Sequence, residues 1–222
     1  MMKIELIQTS DGSDSLYVPE LDETYHSIHG AMTESQHVFI ENGYLEACKM
    51  FDQIRLFEVG FGTGLNALLT MQKANALQQF TEYHSIELYP LSRALMQKFN
   101  QHKEGDFNFE AMRSLHDRPW NKSFKMSPYF QLKKTQANLL NYNLSERYNL
   151  IYFDAFSPDK QEDMWSVDVF ERLYNALEKG GILTTYCVKG IIKRRLKEIG
   201  FTIEKLKGPE RGKREMLRAI KD

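Results

Sequence analysis

The sequence predicts an α/β protein built on an open, mostly parallel sheet. Strand-like and helix-like segments alternate along most of the 222 residues, which is the pattern of a parallel sheet with crossover helices. Residues 150–153 are continuously apolar, as expected for a strand covered on both faces. A glycine turn at residues 60–64 lies directly between a strand pattern and a helix pattern. We expect residues 51–222 to form the main domain, with residues 1–50 as an N-terminal hairpin and helical appendage packed on it.

The N-terminal elements are predicted from turn residues and apolar spacing. Residues 3–21 contain two short strand patterns around the turn at residues 10–13, which favours a hairpin. The apolar positions of residues 28–45 fit a period of 3.6 residues only loosely, so one helix or a broken pair of helices is expected.

The remaining elements follow in alternation, except for residues 103–127, which show no clean period and are expected to be loops and short helices. The helix after Pro90 begins near that proline, and a basic helix ends at Gly200. The predicted strands are residues 53–59, 80–88, 129–137, 147–156, 179–188, 201–208 and 213–221, and the predicted helices are residues 65–77, 91–102, 166–177 and 191–199.

Composition indicates a globular protein with an uneven charge distribution. The net charge is −1, but residues 1–48 carry nine acids and one base, whereas residues 189–222 carry twelve bases and five acids. A basic end suggests contact with an anion such as nucleic acid, and solvated surface side chains are the alternative. Cys48 and Cys187 make no disulfide framework, and the sequence shows no signal peptide or membrane-length apolar run. The expected location is therefore the cytoplasm.

The glycine turn gives the first functional signal. Gly60, Gly62 and Gly64 would let backbone amides approach a ligand closely, at the N-terminus of the following helix. The spacing is not specific, because Leu65 stands where a dinucleotide fingerprint has glycine or alanine, and no phosphate-loop motif is present. A structural glycine turn is the alternative.

Acidic residues at predicted strand ends favour a cofactor site over that alternative. Glu87 ends the strand that follows the glycine turn, and an acid there can bind both hydroxyls of a ribose. Asp154 ends a later strand, and Glu58 immediately precedes the turn. Ligands in open α/β sheets bind outside the carboxyl ends of the strands, so these three acids and the glycines should meet there.

Four segments resemble the methyltransferase part of the tRNA 5-methylaminomethyl-2-thiouridine biosynthesis enzymes. They are YHSIHGAMTESQHVFIENG, EVGFGTGLN, DAFSPDKQEDMW and GFTIEKLKGPERGKREML, and they extend from about Tyr25 to Leu217. The resemblance implies a Rossmann-like class I S-adenosylmethionine-dependent methyltransferase, with a seven-stranded, mostly parallel sheet whose last strand is antiparallel. It also implies methylation of the aminomethyl group of 5-aminomethyl-2-thiouridine at the tRNA wobble position. The chain ends at Asp222, so a stand-alone methyltransferase is expected, with a separate FAD-dependent oxidoreductase or upstream tRNA-modifying enzymes as partners.

The resemblance assigns roles to particular residues. The expected S-adenosyl-L-methionine-binding residues are Glu58, Gly60, Gly62, Thr63, Gly64, Asn66, Glu87, Leu88, Gln136 and Ala137. Gln136 stands where related enzymes often have an acid that contacts the adenine amino group. The residues expected to bind the anticodon region of tRNA are Lys193, Arg194, Arg195, Arg211, Lys213 and Arg214. Tyr25, Ser27 and Ser35 are expected at the mouth of the site.

The stretch after Asp154 is expected to form the methyl-acceptor pocket. A primary amine has a reference pKa of about 10.4, so it must be bound neutral or lose its proton at the site. Asp154 is the expected catalytic residue, holding the amine by hydrogen bonds, with Phe156 and Pro158 as walls. A turn cap is the alternative for Asp154. For Trp165, substrate contact and simple packing are equally favoured.

Other functions share the predicted fold. An aminopropyltransferase of the polyamine synthase type would also have a glycine loop, a ribose-binding acid and an aspartate after the fourth core strand. A methyltransferase-fold module could instead bind tRNA or a partner protein without catalysis. A metal site at His26, His29 and His37 is disfavoured, because no carboxylate or cysteine set accompanies them at suitable spacing, and no metal is expected.

Overall fold

A computed structural model describes residues 3–10, 12, 14–28, 30–98, 109–208 and 215–222. An eight-stranded sheet forms its centre, in the order β10-β11-β9-β8-β4-β5-β7-β6. Strands β4, β5, β7, β8 and β9 are parallel, whereas β6 and β11 are antiparallel to their neighbours. The strands are β4 (Ile54–Val59), β5 (Thr81–Glu87), β6 (Lys122–Ser127), β7 (Phe130–Gln136), β8 (Tyr148–Phe153), β9 (Leu177–Thr185), β10 (Phe201–Lys207) and β11 (Glu215–Lys221).

The sheet confirms the predicted class and corrects the predicted strand number. The antiparallel last strand is present as β11, between β9 and β10. The eighth strand is β6, which forms an antiparallel edge beside β7 within the segment expected to be loops and short helices. Its sequence KSFKMS is mostly polar and leaves no residue fully buried, so periodicity gave little signal for it.

Two hydrophobic layers cover the two faces of this sheet. Alternate residues of one strand belong to different layers: Leu150 and Tyr152 of β8 join one, and Ile151 and Phe153 join the other. The helices are α1 (Ala31–Ser35, Gln36–Tyr44 and Leu45–Cys48 in succession), α2 (Leu65–Leu77), α3 (Arg93–Lys98), α4 (Phe109–Asp117), α5 (Val167–Ala176) and α6 (Gly190–Ile199). Helices α1 and α2 pack in the first layer, and α5 and α6 in the second.

Helix α1 packs closely against the main sheet. Its middle segment, Gln36–Tyr44, is a π-helix in which Val38, Phe39 and Ile40 are buried. A Cβ on Gly43 would come within 3.2 Å of the Thr184 and Tyr152 side chains, so glycine allows the helix backbone to approach β8 and β9. The wider π-helical turn explains the loose fit to a period of 3.6 residues. The division of the chain at residue 50 stays a prediction.

A small antiparallel sheet precedes helix α1. Strands β1 (Glu5–Gln8) and β2 (Asp14–Val18) form the predicted hairpin, and β3 (Glu23–Thr24) pairs with β2. The chain then passes over the end of the main sheet towards α1. Within the part of the chain that the structure describes, no helix is both long and apolar enough to cross a membrane.

Candidate active site

The carboxyl ends of β4, β5 and β8 open into a cavity of about 540 Å³. These three strands are neighbours in the sheet, so the segments that follow them lie side by side. The N-terminal segment between β3 and α1 closes the opposite side of the cavity. The cavity therefore lies where ligands bind in open α/β sheets.

The glycine turn after β4 forms the floor of this cavity. Gly60 has φ +91°, and a Cβ there would lie 2.7 Å from the backbone oxygen of Asp154. Gly62 has φ +49°, and its Cβ would lie 3.1 Å from the Tyr25 ring. Both positions need glycine because the conformation is left-handed and the neighbours are close.

Side chains from other elements hold the turn in place. His116 of α4 donates from Nε2 to the Thr63 backbone oxygen at 2.7 Å, and burial lowers the pKa of His116 to about 4. His26 hydrogen-bonds through Nε2 with the Thr63 hydroxyl at 2.8 Å. Lys134 donates to the His116 backbone oxygen, and its buried ammonium lies over the Trp120 ring. The turn is therefore a fixed element.

Glu87 lies at the end of β5 and presents its carboxylate to the cavity. The backbone amides of Gly62 and Tyr89 donate to its two oxygens at 3.2 and 2.9 Å. Burial raises the pKa of the Glu87 carboxyl, and these two amides oppose that rise. The Leu88 and Phe61 amides act on the carboxylate in the same direction. An ionised carboxylate is an acceptor only, which suits a pair of ligand hydroxyls.

Asp154 follows β8 directly and also lines the cavity. Its backbone amide donates to the Val59 oxygen at 3.0 Å, which fixes the residue beside the glycine turn. Asn66, in the first turn of α2, donates from Nδ2 to Asp154 Oδ2 at 2.8 Å. Asn66, in the helix that directly follows the glycine turn, therefore holds the Asp154 carboxylate in place.

The predicted site residues divide into those that line the cavity and those that support it. Besides Gly60, Gly62, Glu87 and Asp154, the lining includes Asn66, Leu88, Ala137 and Phe156. Thr63, Gly64 and Glu58 do not line it. Thr63 is buried and contacts His26 and His116, as described above. Gly64 lies against the His116 and Phe61 side chains. Glu58 is completely buried within the sheet layer.

Three predicted ligand contacts are corrected by the structure. Trp165 has 0% exposure and packs against Phe153, and its Nε1 donates to the Phe156 backbone oxygen, so it supports the pocket wall without reaching the cavity. Pro158 does not line the cavity, although Gln161 and Met164 further along the same segment do. Gln136 is exposed at the end of β7, and the cavity is lined instead by Ala137 and Asn138.

Most of the acidic N-terminal wall of the cavity was not predicted. Asp22, Glu23 and Glu34 line the cavity, together with the expected Tyr25 and Ser27. The Ser157 hydroxyl donates to Glu23 Oε2 at 2.7 Å, which joins this wall to the segment after β8. The excess of acids in residues 1–48 was the available signal.

Two further features were not anticipated. Tyr186 lines the cavity after β9 and donates its hydroxyl to the Ala155 backbone oxygen at 2.8 Å. Ser35, expected at the mouth, is buried and does not line the cavity. Among the described residues that line the cavity, none is a lysine or an arginine.

The basic helix α6 offers fewer free cations than its sequence suggests. Lys193 pairs with Glu215 at 3.1 Å, and Arg195 donates to the Trp165 backbone oxygen at 2.7 Å, so both are engaged in the fold. Arg194 and Lys197 are exposed. Three other predicted tRNA-binding residues, Arg211, Lys213 and Arg214, lie outside the described residues.

No described group of three histidine, cysteine, aspartate or glutamate side chains is arranged to hold a metal ion. His26 contacts Thr63, and His37 contacts Glu41 and the Lys207 backbone oxygen. His29 lies outside the described part of the chain.

Comparison with known proteins agrees with this geometry. Residues 128–222 match the model of a family described as S-adenosyl-L-methionine-dependent methyltransferase. The tRNA 5-methylaminomethyl-2-thiouridine biosynthesis bifunctional protein MnmC of Burkholderia multivorans is 30% identical over 221 residues, which cover 91% of this chain and 33% of that protein. The protein of the same name from Cupriavidus metallidurans is 31% identical over 227 residues, covering 96% and 33%. Over at least 91% of its length the chain is therefore similar to one part of the MnmC proteins.

Solved structures show the same fold. The crystal structure of MnmC2 from Aquifex aeolicus matches with a TM-score of 0.80 at 22% identity, covering 99% of this chain and 70% of that one. Spermidine synthase from Thermotoga maritima matches with a TM-score of 0.56 at 10% identity, covering 99% and 74%. The domain spans about a third of the length of the MnmC relatives.

The cofactor of the domain is S-adenosyl-L-methionine, and the cavity fits it. Gly60 and Gly62 leave room for a ligand against the backbone, where any larger residue would carry a Cβ into Asp154 or Tyr25. Glu87 would accept hydrogen bonds from the ribose hydroxyls. The acidic lining complements a sulfonium and an ammonium group, both of which the cofactor carries.

Proposed function

We propose that this domain transfers a methyl group to the aminomethyl nitrogen of 5-aminomethyl-2-thiouridine at the wobble position of tRNA. The observation that carries the proposal is the position of Asp154, which is fixed at the cavity wall beside the glycine turn. The described lining also contains other aspartates and glutamates but no lysine or arginine. An amine with a pKa of about 10.4 arrives as a cation, which such a lining attracts.

S-adenosylmethionine supplies an already activated methyl group, so the protein has to place the acceptor and free its lone pair. We propose that Asp154 accepts hydrogen bonds from the ammonium group and receives its proton. Phe156 and Tyr186 would exclude water around the nitrogen. The neutral amine would then be free to accept the methyl group that the cofactor supplies when bound, and the product would be a secondary ammonium ion.

The proposed macromolecular partner is the anticodon region of tRNA. Wobble bases are already unpaired, so entry of the modified uridine into the cavity costs little. The exposed Arg194 and Lys197 on α6 are proposed phosphate contacts. The relatives are named bifunctional, and we propose that an FAD-dependent oxidoreductase acts before this step and that the reaction takes place in the cytoplasm.

Nucleoside mass spectrometry tests the proposal. The purified domain is incubated with S-adenosylmethionine and tRNA from cells that lack the final methylation, and the expected result is conversion of aminomethyl-thiouridine to methylaminomethyl-thiouridine. Asp154→Asn and Asp154→Ala should abolish turnover while cofactor affinity stays within about tenfold. A parallel reaction with putrescine and decarboxylated S-adenosylmethionine tests the aminopropyltransferase alternative. Activity only in that reaction would refute the proposal.

A further inference from the structure

Glu58 is a carboxyl group completely enclosed by the protein. It is the next-to-last residue of β4, opposite Ser85 of β5 and Tyr152 of β8, and has 0% exposure. Its carboxyl lies next to the Ser85 and Tyr83 hydroxyls and the Asn66 amide, yet neither of its oxygens has a hydrogen bond of regular geometry among the described residues. Because it does not line the cavity, it cannot contact the cofactor or the acceptor.

Asn66 connects this buried carboxyl to the cavity. The same amide that lies beside Glu58 donates from Nδ2 to Asp154 Oδ2 at 2.8 Å, whereas its Oδ1 is buried and lacks a partner in the described structure. A charged Glu58 would compete with Asp154 for the amide hydrogens of Asn66. A neutral Glu58 would add a donor that the unsatisfied Asn66 oxygen can accept.

We propose that Glu58 acts as an uncharged acid that positions Asp154, by keeping the Asn66 amide nitrogen bonded to the Asp154 carboxylate. The hydrogen bonds would then run in one direction, from the Tyr83 and Ser85 hydroxyls to Glu58, from Glu58 to Asn66, and from Asn66 to Asp154. The inference rests on the proposed function, because it concerns the carboxylate that would hold the acceptor amine.

The surroundings of Glu58 keep it protonated at neutral pH. The pKa of Glu58 is raised to about 8, chiefly by burial; nearby Asp154 acts in the same direction, and the Ser85, Tyr83 and Asn66 side chains oppose the rise. The other titratable groups that face it are Tyr83 and Tyr152, whose own pKa values burial raises well above the usual 10.0, so they stay neutral. Ionisation of Glu58 would place a second negative charge near Asp154 and draw the Asn66 amide away from it.

The experiment compares wild type with Glu58→Gln, which has a similar shape and keeps a donor but cannot ionise. Methylation of aminomethyl-thiouridine tRNA is measured as kcat and KM between pH 6.5 and 9.5. Near pH 7 the variant should keep kcat within about threefold. Between pH 7 and pH 9 the wild-type kcat should fall about tenfold relative to the variant, because Glu58 ionises. Glu58→Met, which has no donor, should lose kcat at every pH while the KM for S-adenosylmethionine stays nearly constant.

A second measurement does not depend on activity. Carbon-13 NMR of protein labelled at glutamate carboxyls should show one resonance that titrates near pH 8 and is absent from Glu58→Gln. Parallel pH profiles of the two proteins, or a Glu58 resonance that titrates near pH 4.5, would overturn the inference. Failure of the proposed function appears differently, since wild type would then show no methylated nucleoside at any pH while the NMR titration stays informative.

Discussion

Replacement of Glu58 by glutamine should change how the stability of the protein depends on pH. In the unfolded chain a glutamate has its ordinary pKa near 4.5 and is ionised above about pH 5. In the folded protein burial raises the pKa of Glu58 to about 8, so the side chain keeps its proton. The folded state therefore binds more protons than the unfolded state over this range, and its stability falls as the pH rises.

The size of the effect follows from the two pKa values. Each pH unit between them lowers the free energy of unfolding by about 1.4 kcal/mol, and between pH 5 and pH 8 this group alone removes about 3 kcal/mol. In Glu58→Gln that contribution is absent. The difference in stability between pH 5 and pH 8 should therefore be about 3 kcal/mol smaller in the variant.

Urea unfolding at several pH values between 5 and 8, followed by tryptophan fluorescence, measures this difference. A constant effect of the substitution on packing or hydrogen bonding cancels, because only the change between pH 5 and pH 8 is compared. Buried His84 and His116, whose lowered pKa values also make stability depend on pH, are present in both proteins. Curves of unfolding free energy that stay parallel over this range would refute a protonated Glu58.

Three further outcomes are expected. Gly60→Ala should lower stability by about 2 kcal/mol or more and weaken S-adenosylmethionine binding, because the new Cβ would lie 2.7 Å from the Asp154 backbone oxygen. The control is Gly190→Ala, whose Cβ would lie 3.4 Å from the Arg194 side chain, and equal melting temperatures of the two variants would contradict the prediction. Glu87→Ala should weaken cofactor binding in calorimetry by about tenfold or more through lost ribose hydrogen bonds, and unchanged affinity would remove Glu87 from the cofactor site. Arg194→Glu should weaken tRNA binding and flatten its salt dependence, whereas exposed Lys179→Glu should not; an unchanged salt slope would exclude α6.

The alternation of strands and helices was predictable because β4, β5, β8 and β9 are each followed by a helix before the next parallel strand or the end of the sheet. Residues 150–153 were correctly expected to be covered on both faces. Strand β6 was not predictable in this way, because an exposed edge strand buries little apolar surface and only Phe124 and Met126 alternate with polar residues. The π-helical segment Gln36–Tyr44 also escaped a search for a period of 3.6 residues.

The parts of the site that follow strands were predictable for the same reason. Glu87 ends β5 and Asp154 directly follows β8, the two parallel strands on either side of β4, so topology alone brings them to one edge of the sheet. Glu58 does not reach the cavity as Glu87 and Asp154 do, because it lies one residue before the end of β4 and its side chain is buried inside the protein. The N-terminal acids Glu23 and Glu34 lie in β3 and α1, and no local pattern specifies that these elements meet the carboxyl end of the main sheet.

The cofactor turn and the acceptor carboxylate form a single packed unit. Gly60 lies against the Asp154 backbone, Asp154 donates its amide to Val59, and Asn66 of the helix that follows the turn donates to the Asp154 side chain. A displacement of either strand end would therefore move both. Methyl transfer requires the acceptor nitrogen in line with the breaking bond, so catalysis depends on the distance between these two subsites. In the proposed arrangement, Glu58 affects the reaction without touching a ligand. It is buried behind the glycine turn and Asp154, and it acts on Asn66, the side chain that connects them.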